Sequence, residues 1–183
     1  SHPDYPKNPA ELDYITSFQG PNNYGDNYGT RVRGFIIPSE TGSYTFNVTG
    51  DDNTVLYLST DVNETNKVEM ASVTGWSGVT EHNKYAVQTS DQIQLIENVW
   101  YYVELLVKEG TGGDHFQVYW RTPSVPSTWN IIPGSNLAPF ICPEICDNGD
   151  DDDGDGLTDC LDPDCSNSIN VNIAASDSEI CIG

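Results

Sequence analysis

The sequence predicts an all-β protein: an antiparallel two-sheet sandwich followed by a small acidic module. Three observations carry that prediction. Short runs of alternating apolar and polar residues recur over residues 31–120, and no helical stripe accompanies them. Ten Tyr, five Phe and four Trp supply bulk for one core in 183 residues, a length that suits one domain and an appendage. All five cysteines lie beyond residue 140, where 12 acidic residues meet no Lys or Arg.

The strands follow in order. Residues 31–37 read as a strand stopped by Pro38 and a turn at 39–42. Residues 43–49 alternate cleanly, with Tyr44, Phe46 and Val48 on one face. Residues 54–59 repeat the pattern with Val55 and Tyr57 between leucines. Further strands are expected at 68–73, 92–95, 100–107 and 115–120. Many short strands with polar turns imply two packed sheets. Pro123, Pro126, Pro133 and Pro139 then punctuate a seam. The expected organisation is a sandwich over 1–137, an acidic cysteine-bridged module over 138–165, and the start of a further domain or a tail over 166–183, where Ile169, Val171 and Ile173 alternate.

Charge excludes several partners. Asp and Glu number 28 against 7 Lys and Arg, a net charge of −21. Nucleic acid and anionic lipid would be repelled. No run of 18 apolar residues is present, so no membrane insertion is expected. No basic-then-apolar signal segment opens the sequence, and an export signal is expected to lie outside it. The cysteines lack the C-x2-C spacing of zinc sites, so disulfides in an extracellular setting are expected.

The chemistry concentrates in two loops. Asp51 and Asp52 sit where one strand ends and the next begins. Adjacent carboxylates repel unless a cation neutralises them. A hard cation such as calcium takes six to eight oxygens, so a second loop must contribute. The stretch K-E-G-T-G-G-D at 108–114 suits this: its glycines let carbonyls turn toward an ion, and Glu109 and Asp114 supply carboxylates. Glu104, mid-strand among apolar residues, reads as an ion-pair partner of Arg31 or Arg33. Asn47 and Asn63 each head an N-x-T sequon.

The stretches Y-G-T-R-V-R-G-F-I-I-P (28–38) and G-S-Y-T-F-N-V-T-G-D-D-N (42–53) resemble the domain family named after anthrax protective antigen. So do W-S-G-V-T-E-H-N-K-Y (76–85), Y-Y-V-E-L-L-V-K-E-G-T-G-G-D-H-F (101–116) and V-Y-W (118–120), in the same order and spacing. The resemblance implies a jelly-roll-like sandwich. Lectin members of the family, yeast flocculins and bacterial adhesin modules among them, bind sugars through calcium. It further implies a cis peptide between Asp51 and Asp52, both ligating calcium, with Glu109, Thr111 and Gly113 completing the protein ligands. Glu109 stands where some members carry Asn, and His82 where relatives often show Trp. A vicinal diol would then replace waters on the ion while Asp51 and Asp52 accept hydrogen bonds from its hydroxyls. Asp114 is expected as a rim contact, and Trp76, Tyr85 or His82 as a stacking face, with Trp76 assigned to the sugar site.

In the acidic module, residues numbered from Asp151 place acids at loop positions 1, 3, 5, 9 and 12, with Gly156 at position 6. That is the register of a calcium loop. Asp151, Asp153, Asp155, the Leu157 carbonyl and Asp162 are the expected ligands. Residues 146–165 also resemble thrombospondin-type calcium repeats of bacterial surface proteins. Disulfides Cys146–Cys160 and Cys142–Cys165 are the preferred pairing among three possible ones, and Cys181 is expected to pair within a following domain.

The function expected is calcium-dependent carbohydrate binding, by a secreted or cell-surface module of a larger bacterial multidomain protein. Its partners would be glycans or polysaccharides with vicinal hydroxyls. It is expected not to be an enzyme: glycosidases need a carboxylate pair across a cleft, and these acids suit calcium better. The alternatives are a calcium-braced structural or protein-binding spacer and an accessory binding domain of a glycoside hydrolase.

Overall fold

Nine strands divide between two antiparallel sheets in a computed structural model that describes residues 13–140. They are β1 (Gly29–Ile36), β2 (Gly42–Asp51), β3 (Asn53–Leu58), β4 (Val68–Val73), β5 (Ile93–Leu95), β6 (Tyr101–Lys108), β7 (His115–Arg121), β8 (Asn130–Ile131) and β9 (Leu137–Pro139). One sheet has the order β4-β3-β6-β1-β9 and the other β5-β2-β7-β8. The seven strands expected from alternation all form, with ends shifted by a residue or two.

Alternation works because one face of each sheet is dry. Tyr44, Phe46 and Val48 of β2 are fully buried, as are Leu56 of β3, Leu105 of β6 and Val118 of β7. They form one continuous cluster between the sheets. Burying each such side chain contributes about 1.5–3 kcal/mol, so these strands hold their register against a one-residue slip.

Two of the buried polar residues among the strands are well partnered. Asn47, fully buried, donates through Nδ2 to the His82 carbonyl and to Thr89 Oγ1. Glu104, 3% exposed, accepts from Arg31 at 2.6 Å, Lys67 at 3.1 Å and the Tyr102 hydroxyl at 2.7 Å. Of the two arginines expected to pair with it, Arg31 does. Arg33 instead lies over the Phe140 ring at 4.3 Å.

Strands β8 and β9 were not expected. Both are short edge strands in the proline-rich stretch, and β9 ends on Pro139, whose missing N–H an edge tolerates. Strand β9 pairs with β1, and the first compact unit ends at Phe140. No helix among the described residues is long and apolar enough to cross a membrane.

Candidate functional site

Two connections cross between the sheets at the same end of the sandwich. Strands β2 and β3 lie in different sheets and are joined by Asp52 alone; β6 and β7 likewise, joined by residues 109–114. Asp51 pairs with His115 across β2 and β7, and Asn53 with Lys108 across β3 and β6. The register therefore sets the two acidic connections side by side.

Their carboxylates converge. Asp51, Asp52 and Glu109 each bring an oxygen within 4.8 Å of the others. The Asp51–Asp52 peptide is cis. Gly110 N–H donates to Asp52 Oδ2 at 2.9 Å, and a methyl group on Gly110 would meet that oxygen at 2.9 Å, so the close approach needs glycine. Glu109 is 2% exposed and neither of its carboxylate oxygens has a hydrogen-bond partner. Burial first, then the charges of Asp52, Asp51 and Asp114, push its carboxyl above the usual range. Burial and the neighbouring Asp52 push Asp51 up as well, against the pull of His115 and Lys84. A buried carboxylate without a donor is costly, and the two part-exposed carboxylates beside Glu109 add repulsion to that cost. Such a donor set fits a hard dication that takes oxygen ligands and removes the repulsion.

Thr111 and Gly113 lie exposed on the same connection. Asp114 does not sit on the rim. It is 2% exposed, and its Oδ2 accepts Gly25 N–H at 2.9 Å because residues 20–28 fold over it. That segment is bonded along its length to the connection: Asn23 N–H to the Asp114 carbonyl at 3.0 Å, Asn27 N–H to the Gly110 carbonyl at 2.6 Å, and Glu109 N–H to the Tyr28 carbonyl at 2.9 Å. Burial and the adjoining Asp114 carboxylate hold the Tyr28 phenol far above its ordinary value. Sequence reasoning missed this segment, since its contacts join residues some 90 positions apart and only the turn composition P-N-N-Y-G-D-N marks it.

On the other flank Trp76 forms a bridge with Asp51 and is 54% exposed. The Lys84 ammonium lies 3.0 Å from its ring centroid, a cation–π contact that occupies one face. Tyr85 braces the same turn by donating to the Trp76 carbonyl at 3.2 Å. His82 is no stacking face here. Its ring packs on Tyr119 and Trp129, with Nδ1 2.9 Å from Asn47 Oδ1. The acidic-loop residues Asp151, Asp153, Asp155, Leu157 and Asp162, and the pairings Cys146–Cys160 and Cys142–Cys165, lie outside the described residues.

The sequence profile of the PA14 domain matches residues 4–128. The mouse N-acetyl-beta-glucosaminyl-glycoprotein 4-beta-N-acetylgalactosaminyltransferase 1 is 39% identical over 117 residues, which is 61% of this chain and 11% of that protein. Mouse fibrocystin-L is 33% identical over 86 residues, 47% of this chain and 2% of that protein. The chain thus spans a small part of the length of these curated relatives. Among solved structures, the epithelial adhesin 6 A domain from Candida glabrata, in complex with Galb1-3GlcNAc, has 14% identity and a TM-score of 0.49, covering 63% of this chain and 52% of that one. A PA14 sugar-binding domain from an RTX adhesin has 16% identity and a TM-score of 0.45, covering 63% and 56%.

Proposed function

The chain belongs to the PA14 domain family, and on that footing we propose that its sandwich is a calcium-dependent carbohydrate-binding module. One observation carries the reading: Asp51, Asp52 and Glu109 converge, and both Glu109 oxygens are buried without a hydrogen-bond partner. Glu104, a structural carboxylate, is treated otherwise: two cations and a hydroxyl meet its Oε2.

Asp51, Asp52 and Glu109 would hold the ion, with the Thr111 and Gly113 carbonyls completing the protein share. Calcium, when bound, supplies positions at which a vicinal diol can replace water. Asp51 and Asp52 are part-exposed and accept hydrogen bonds from the same hydroxyls, charge-assisted contacts that orient the sugar. Glu109 lies too deep to touch it and serves the ion alone. Trp76 borders the site with its exposed indole, offering an apolar edge to the C–H face of a pyranose.

The reading extends to residues 151–162 as a second calcium loop, and to a secreted or cell-surface setting in a longer chain. Its ligands there are Asp151, Asp153, Asp155, Leu157 and Asp162. No catalytic role is proposed.

A glycan array read in calcium and in chelator tests the proposal. Binding to sugars with vicinal hydroxyls, present in calcium and lost in chelator, is expected. Equal binding in both conditions, or none in calcium, would refute it.

A further inference from the structure

We propose that residues 20–28 form a further wall of the ligand site and that Asn23 is a specificity-determining residue for the sugar. This inference rests on the carbohydrate-binding reading above. It starts from where Asn23 is held. A methyl group on Gly113 would meet Asn23 Oδ1 at 3.3 Å and Asp51 Oδ2 at 3.9 Å. The Asn23 carboxamide and the Asp51 carboxylate thus border the same space above Gly113, which a side chain there would enter.

The support beneath Asn23 is rigid. Its backbone takes a left-handed φ of 54°, which asparagine tolerates. Its N–H donates to the Asp114 carbonyl at 3.0 Å, and two residues on Gly25 N–H donates to the Asp114 carboxylate at 2.9 Å. Gly112 N–H returns a bond to Asp26 Oδ1 at 3.1 Å. Asp114, buried below, is thus a positioning residue: it grips the turn from both its backbone and its side chain. Asn23 itself is exposed, and its carboxamide makes no hydrogen bond among the described residues.

The chemistry of that amide differs from everything around it. Asp51, Asp52 and Glu109 as carboxylates only accept hydrogen bonds, whereas a carboxamide carries two donor hydrogens and an acceptor. A diol held by calcium and two acceptors leaves its neighbouring oxygen unread. Asn23 stands on the segment packed over residues 109–114, and its amide can donate to that third oxygen. The sugars favoured are those with a hydroxyl beside the chelated diol that can accept a hydrogen bond. Polar recognition of this sort discriminates strongly, because an analogue without the oxygen leaves the amide unpaired.

The test measures calcium and sugar affinities separately, by calorimetry on the full chain with calcium alone and then with galactose- and mannose-bearing glycoconjugates. Asn23→Gly removes the amide and keeps the left-handed backbone. It should weaken sugar binding by about fivefold to tenfold, with calcium affinity held within about twofold. Asp114→Ala should lower sugar binding likewise, and Asp114→Asn, which keeps an acceptor for Gly25 N–H, should restore it. Unchanged sugar affinity in Asn23→Gly overturns the inference alone. A parallel fall in calcium affinity also overturns it, by assigning Asn23 to the ion. Failure of the native chain to bind either glycoconjugate in calcium overturns the carbohydrate reading, and this inference with it.

Discussion

Two buried glutamates, one in the middle of β6 and one just past its end, are treated in opposite ways. Glu104 lies at the centre of donors from Arg31, Lys67 and Tyr102. Burial alone would raise its carboxyl, but those hydrogen bonds outweigh it and the net shift is downward. Glu109, as deeply buried, has no donor to either oxygen and shifts upward. The first cross-links one sheet; the second is the group to which the proposed calcium site assigns an ion. Glu104→Gln leaves Arg31 and Lys67 facing a neutral group, and should cost about 3 kcal/mol at neutral pH. The pH dependence has a definite sign. With the folded pKa below the unfolded value of about 4.3, the stabilisation is fully present above that value and is lost as pH falls through the folded one. Urea unfolding of native and variant chains should differ clearly at pH 7 and much less near pH 3; an equal gap at both would contradict this. The Arg31 pairing was legible because Glu104 falls mid-strand among apolar residues. The Lys67 contact was not, since Lys67 lies just ahead of β4 and reaches β6 only because the sheet sets β3 alone between those strands. Asp51 and Asp52 were legible from adjacency and family likeness, whereas the burial of Asp114 needed a segment folded over it.

At the scale of elements, legibility follows from how much of a strand is dry. β3 buries every second residue along its length, so period-two patterning marks it, while β2 and β7 bury nearly all of their central residues and stand out as dry strands. β9 has three residues, none fully buried, and one is proline; nothing in such a segment alternates. The signal lay instead in its partner. Gly34 interrupts an otherwise bulky β1, and a strand glycine often marks close backbone approach. A methyl group there would meet the Ala138 carbonyl oxygen at 2.6 Å, a backbone atom that cannot simply swing away. Gly34→Ala should therefore push β9 off the edge of its sheet and cost about 1–3 kcal/mol. Hydrogen exchange would register it as faster exchange of the Ile37 amide, which donates to the Asn136 carbonyl just ahead of β9. Unchanged stability together with unchanged exchange there would show that β9 is not pinned by this contact.

Over the whole molecule, topology converts two separate sequence features into one site. The acidic pair and the glycine-rich loop stand about 57 residues apart, and each taken alone is an ordinary polar turn. They meet because β2–β3 and β6–β7 both change sheets at one end, with β2 against β7 and β3 against β6. Alternation revealed the strands but not their order, so the family likeness had to supply the meeting point in advance. The wall formed by residues 20–28 had no such guide. Its bonds to residues 109–114 are mostly backbone to backbone, and backbone partners leave little trace in residue type. The net charge of −21 over the full sequence fits the same account, in which carboxylates serve a dication and neutral hydroxyls and do not meet phosphate. The most direct measurement is retention of the native chain and Asp52→Ala on a column bearing the glycan that the array selects, with folding checked by near-ultraviolet circular dichroism. The account predicts retention of the native chain in calcium, release by chelator, and no retention of a folded Asp52→Ala in either condition. Retention of Asp52→Ala equal to that of the native chain would contradict it, by placing the sugar away from the paired aspartates.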